Sequence, residues 1–295
     1  MFKQQFKKIL NKFLSVFNLK IIKLKTDSMT ISYDNILSTQ YYVGLKKNIV
    51  NIETDKGRTD RWFDMSNKSL DPAIFAIRNA LKKDLKGDAL YKNILSTLQT
   101  HNSLMSVKNA AKYLDIDFNE EEKFKVYPWW ASVYPWDNRT FDDKLKYYPG
   151  EVKKNRLSNG MEILSDNPHE IMDNLLENSL FSHAKQYTQL VEEIKNNGYK
   201  YDEDYNHISA EIFVHNGKFC WKVGLDGNHR IAVLAALGYE TIPVHITKII
   251  RLEELNYWPN VKLSYFNEKQ AANIFHNIFD AKPSAIHDKW IKKVG

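Results

Sequence analysis

The residues best suited to chemistry lie close together, in Asp226-Gly227-Asn228-His229-Arg230. The apolar strand pattern Phe219–Val223 runs into this segment and the apolar run Ile231–Leu237 leaves it, so a strand, a tight turn and a helix are predicted in that order. Such a turn suits an anion. Gly227 permits close backbone approach. The first turn of the helix offers unpaired N–H groups and the positive end of its dipole. His229 and Arg230 add side-chain donors, and Arg can fork onto two phosphate oxygens. The plain alternative makes Asp226 or Asn228 an ordinary N-cap and Arg230 a solvated charge.

The elements around the turn are legible in turn. Ala210–Val214 and Phe219–Val223 are predicted strands joined at Asn216-Gly217, a strong hairpin signal. Gly238 ends the helix, and Thr241–Ile249 is a further strand. Upstream, Pro168–Asn178 and His183–Asn197 are predicted as two helices, the second stopped by Gly198. Asp71-Pro72 opens a helix with an N-cap and an N1 proline, and helices are expected near Ala89–Leu98 and Val107–Leu114. A last helix falls near Glu268–Phe279.

Asp226–Arg230, the apolar run to Gly238 and the strand Thr241-Ile242-Pro243-Val244 together resemble the ParB/sulfiredoxin-like superfamily, over about residues 180–250. The loop is most similar to the Asp-Gly-His-His-Arg-like loops of the ParB-like kinases. The resemblance implies an α+β fold, a mixed-sheet nucleotide-binding domain with a helical N-terminal region and a C-terminal helix. It also implies a nucleotide (ATP, ADP or CTP) whose phosphates rest on Gly227, Asn228, His229 and Arg230. Phosphoryl transfer from that nucleotide would have Mg²⁺ bridge phosphate oxygens, with Asp226 a candidate carboxylate for it. Two departures matter. Asn228 stands where sulfiredoxins carry their cysteine, which disfavours sulfinic-acid reduction. No long segment for a helix-turn-helix domain follows the fold, as it does in the partition proteins.

The expected organisation is a basic amphipathic helix over 1–26, a mainly helical region with an aromatic-rich segment over 27–160, the ParB/sulfiredoxin-like domain over 161–250 and a helical extension over 251–295. The formal charge is +6, but the seven lysines of residues 1–26 account for all of it, and the rest carries −1. A broad phosphate-backbone footprint for nucleic acid is therefore not expected. Phe2, Phe6, Ile9, Leu10, Phe13, Leu14 and Phe17 share one helical face, opposite most of those lysines. Such a helix can lie on an anionic inner leaflet, dock on the protein's own core or bind a partner. With no bilayer-spanning apolar run, no small-residue cleavage site and the single Cys220, the expected setting is cytoplasmic, peripheral on the inner membrane face.

The leading functional expectation is phosphoryl transfer from a nucleotide to a hydroxyl acceptor, such as a sugar or lipid-linked glycan of surface polysaccharide biosynthesis. Asp226 and His229 would act catalytically, Asp226 on the acceptor hydroxyl or the metal and His229 as phosphate donor or general acid. Trp130, Trp136, Asp137, Arg139, Arg156 and His183 are acceptor-side candidates. The Trp and Tyr residues of 127–136 stack on a ligand or plug the space between lobes, and both readings stand at this level. The alternative is a nucleotide-gated ParB-like switch, a CTPase or ATPase. A DNA-binding reading and a glycosyltransferase reading, the latter from Asp115-Ile116-Asp117 and Asp202-Glu203-Asp204, are weaker.

Overall fold

A computed structural model of the protein describes residues 49–105, 109–116, 122–158, 168–200 and 207–295, the side chains of 122, 155–158 and 168–178 excepted. The expected amphipathic helix of 1–26 lies outside the described residues, as do Asp117 and Asp202-Glu203-Asp204.

The chain runs through β1 (Ile49–Glu53), β2 (Gly57–Arg58), α1 (Pro72–Lys82), α2 (Gly87–Leu104), α3 (Ala110–Tyr113), α4 (Glu122–Lys125), α5 (Phe141–Ser158) and α6 (Pro168–Asn197). It continues through β3 (Ile208–His215), β4 (Lys218–Val223), α7 (Asn228–Ala236), β5 (Thr241–Arg251), α8 (Pro259–Lys262), α9 (Glu268–Phe279) and α10 (Asp288–Val294). The architecture is α+β, built on one mixed five-strand sheet ordered β1-β5-β3-β4-β2. β3 lies parallel to β5 and antiparallel to β4, β1 is antiparallel to β5, and β2 is parallel to β4. The sheet therefore draws β1 and β2 from the region expected to be mainly helical, and joins them to strands more than 150 residues later.

Alternation along the strands divides the interior into two cores. Ile208, Ala210, Ile212 and Val214 face one side with Trp221 and Val223, where α1, α2, α6 and α7 cover them. Phe213, Cys220 and Ile250 face the other side, into an aromatic core with Trp136, Trp258, Phe266 and Phe275. Burial on that side pushes the Cys220 thiol up to about 12, so it is an inert apolar residue here.

Local signals decide most element ends. Asp71 Oδ1 accepts from the amides of Ala73 at 2.9 Å and Ile74 at 3.3 Å, so α1 begins where Asp-Pro predicts. Asn216 and Gly217 both take positive φ, 50° and 71°, as a two-residue hairpin turn requires. One expectation needs correction. Residues 168–197 form one helix rather than two, since no Gly or Pro interrupts Ser179–Ser182. Residues 141–158 form α5, with Pro149 inside it.

Candidate active site

The turn at 224–230 is held from below by Ser209. Its Oγ accepts from the Asp226 amide at 2.9 Å, and its backbone exchanges bonds with Gly224 and Asp226 at 2.8 and 3.0 Å. Gly227 then takes φ 100°, and a Cβ there would lie 2.9 Å from the Ile208 Cα. Only glycine satisfies both the dihedral and the space. α7 begins at Asn228 behind Gly227, which has no side chain to cap it. The expected arrangement of turn and helix start is present, and the ordinary N-cap reading of Asp226 or Asn228 does not hold.

His229 does not stand alone. Its Nε2 lies 2.7 Å from Nδ1 of His183, which α6 brings across, and the Tyr187 ring packs on His229 at 4.9 Å between centroids. Burial, the partner ring and nearby Arg61 hold His183 down to about 4, and burial likewise lowers His229. At neutral pH the two rings are uncharged, and one must donate while the other accepts. A neutral pair of this kind can move a proton between a buried side and the solvent side.

The remaining expected residues distribute as follows. Asp226 is exposed at the mouth of the turn. The Arg230 guanidinium reaches the His207 carbonyl at 3.5 Å and hydrogen-bonds Tyr199, so in this conformation it is engaged at the turn's flank. Asp137 accepts from the Tyr134 amide at 2.8 Å and faces Lys248 at 3.7 Å, and burial pushes its carboxyl up. Arg139 pairs with Glu151 at 3.0 Å on the surface. The Arg156 side chain lies outside the described residues. Trp130 and Trp136 are 4% and 5% exposed. Trp136 sits edge-on to Phe213, Trp258 and Phe275 and flat on Tyr134, and Trp130 stacks near Tyr148. Their faces are spent on packing, which corrects the acceptor-cleft expectation for both in favour of the plug.

Sequence reasoning missed Asp60 and Arg61. β2 runs parallel to β4 in the register Gly57↔Trp221 and Arg58↔Lys222, so the chain leaves both strands at the same end of the sheet. Asp60-Arg61 therefore follows β2 at the end of the sheet where Gly224–Gly227 follows β4. Arg61 Nη1 lies 3.3 Å from Asp60 Oδ1 and 3.5 Å from Asp71 Oδ2. Both charges act on His183 and His229, and Arg61 acts also on His101 and His287. The only sequence signal was a charged pair just after a Gly-containing turn.

Mg²⁺ has a limited fit. Among the described residues no group of three His, Cys, Asp or Glu side chains converges on one point. Asp226 offers a single carboxylate, which suits an ion arriving with phosphate oxygens rather than one caged by protein. No helix among the described residues is long and apolar enough to cross a membrane. Comparison with family models, curated proteins and solved structures finds no match to this chain.

Proposed function

We propose that the protein is a nucleotide-dependent phosphotransferase acting on a hydroxyl acceptor, with the donor phosphates seated on Gly227–Arg230. The observation that carries this reading is the uncapped start of α7 directly beside a neutral histidine pair. Oriented amides and a helix dipole supply fixed positive charge without a side chain having to reorganise. Phosphoryl transfer needs little more than positioning, charge neutralisation and a route for the acceptor's proton. The amides of Asn228 to Arg230 bind phosphate oxygens. Exposed Asp226 faces the acceptor or a phosphate-borne Mg²⁺, which supplies charge neutralisation when bound. His229, steadied by His183, accepts or returns the proton.

The acceptor class follows from the ParB-like kinase resemblance and from the tail: a polyol, sugar or lipid-linked glycan met at an anionic inner leaflet through residues 1–26. A second reading, a nucleotide-gated ParB-like switch, draws support from Leu225, which stands 96% exposed at the tip of the same loop and would suit nucleotide-dependent association.

The test is a thermal-shift panel of ATP, ADP and CTP with and without Mg²⁺, followed by radiolabelled nucleotide with candidate polyols and sugars. A specific nucleotide raises the melting temperature by mass action and labels an acceptor. Slow hydrolysis with nucleotide-dependent cross-linking and no labelled acceptor would favour the switch. No nucleotide response would defeat both.

A further inference from the structure

The hairpin tip between β3 and β4 carries contacts that a turn alone does not need. The two strands pair as far as His215↔Lys218, so Asn216 and Gly217 make a two-residue turn and the Gly217 N–H lies outside the ladder. The His215 ring links this turn to a third segment. Its Nε2 lies 2.8 Å from Nδ2 of Asn216, and its Nδ1 lies 3.1 Å from Oε1 of Glu253, in the 3-10 turn Leu252–Tyr257 that follows β5. A carboxylate only accepts, so Nδ1–H donates to Glu253, and in the neutral ring Nε2 accepts from the Asn216 amide. His276 and Phe279 meet the ring edge-on at 5.3 and 6.2 Å and fix its plane.

An asparagine followed by glycine is the pair in which the next backbone nitrogen reaches the side-chain carbonyl most freely, because glycine puts no Cβ in the way. The chain has three such pairs, and the structure separates two of them. At Asn197-Gly198 the Gly198 amide donates to the Ile194 carbonyl at 2.9 Å, which ties up the nitrogen that would have to attack. At Asn216-Gly217 that nitrogen is outside the ladder, the asparagine is exposed, and an imidazole already touches the amide group that would have to leave. Asn159-Gly160 lies outside the described residues.

We propose that Asn216 is a self-modifying residue, losing its side-chain nitrogen as ammonia to attack by the Gly217 nitrogen, with His215 protonating the leaving group and Glu253 positioning His215. The Gly217 nitrogen gives its proton to solvent and bonds to Cγ of Asn216. The Cγ–Nδ2 bond then breaks. A proton taken from solvent onto His215 Nε2 turns its contact with Nδ2 into a donor, and ammonia leaves with that proton. Water opens the resulting succinimide at either carbonyl, giving an aspartyl or an isoaspartyl residue, so the sum is water consumed and ammonia released. The product places a second carboxylate beside Glu253, whose Oε1 accepts from the Asn216 amide at 3.4 Å. Its isoaspartyl form also lengthens the backbone inside a turn that two residues close.

The experiment incubates the full chain at neutral pH, folded and in urea, and follows the Asn216 and Asn197 peptides by mass spectrometry over time. In the folded protein Asn216 gains the mass of an amide-to-acid exchange while Asn197 stays an amide. In urea the two convert at similar rates, and Asn216 converts more slowly than it does when folded. His215→Gln, confirmed as folded by circular dichroism, slows conversion of Asn216 by about 10- to 100-fold. Glu253→Gln still accepts from Nδ1–H and slows it less than Glu253→Ala, which removes the acceptor. An Asn216 that stays an amide in the folded protein, or that converts no faster there than in urea, overturns the proposal without any variant being needed. An unchanged rate in folded His215→Gln overturns it too, leaving only the ordinary reactivity of an exposed Asn-Gly pair.

Discussion

Among the described residues two histidine pairs are hydrogen-bonded, and they differ in what surrounds them. His183 and His229 meet at 2.7 Å at the start of α7, both half-buried. His101 and His287 meet at 3.1 Å, stacked nearly parallel, both sealed behind Trp290 and Phe63. Burial is the first cause of lowered basicity in each pair. A depressed histidine therefore does not by itself mark a site. What sets the first pair apart is access and the start of α7 beside it, for Arg61 acts on members of both pairs.

Substitutions in the two pairs should break in opposite ways. His229→Ala lowers nucleotide turnover by about 10²- to 10⁴-fold while costing little stability, read from steady-state kinetics and urea unfolding of the same preparation. His287→Ala costs about 2–4 kcal/mol of stability, because it opens a cavity and leaves His101 buried without a partner, and turnover per folded molecule stays the same. Gly227→Ala lies between the two. The left-handed dihedral costs about 1–3 kcal/mol, and the clash with Ile208 deforms the turn, so stability and phosphate binding fall together.

The smallest effect is on pH. His101, His183 and His287 titrate in the folded protein at about 2, 4 and 3, below the ordinary 6.5. The unfolded chain thus binds more protons, and their contribution to stability is complete above about 6.5 and shrinks as pH falls from there toward those lower values. Urea midpoints across that range should decline on acidification. His287→Ala should flatten the decline, and His183→Ala should flatten it less.

How far the sequence revealed this follows the range of each signal. Asp226–Arg230 was legible because turn chemistry, strand and helix lie within one short stretch. Asp71-Pro72, Asn216-Gly217 and Gly198 were legible for the same reason. Asp60 and Arg61 were not, because β2 is two residues long and takes its place only by pairing with β4 far along the chain. His183 was singled out only as an acceptor-side group, since nothing in the sequence says that it meets His229 across α6 and α7. For Trp136 the sequence left ligand stacking and packing open, and it is core, because its neighbours Phe213, Trp258 and Phe275 arrive from three distant segments.

The central claim is an anion seat at the start of α7, and amide chemical shifts test it most directly. On titrating ATP into isotopically labelled protein, the Asn228, His229 and Arg230 amide resonances should move saturably and more than those elsewhere, with the His183 and His229 ring signals following. Resonances at 228–230 that stay still while ATP binds elsewhere, or that move no more than the average exposed amide, would contradict it.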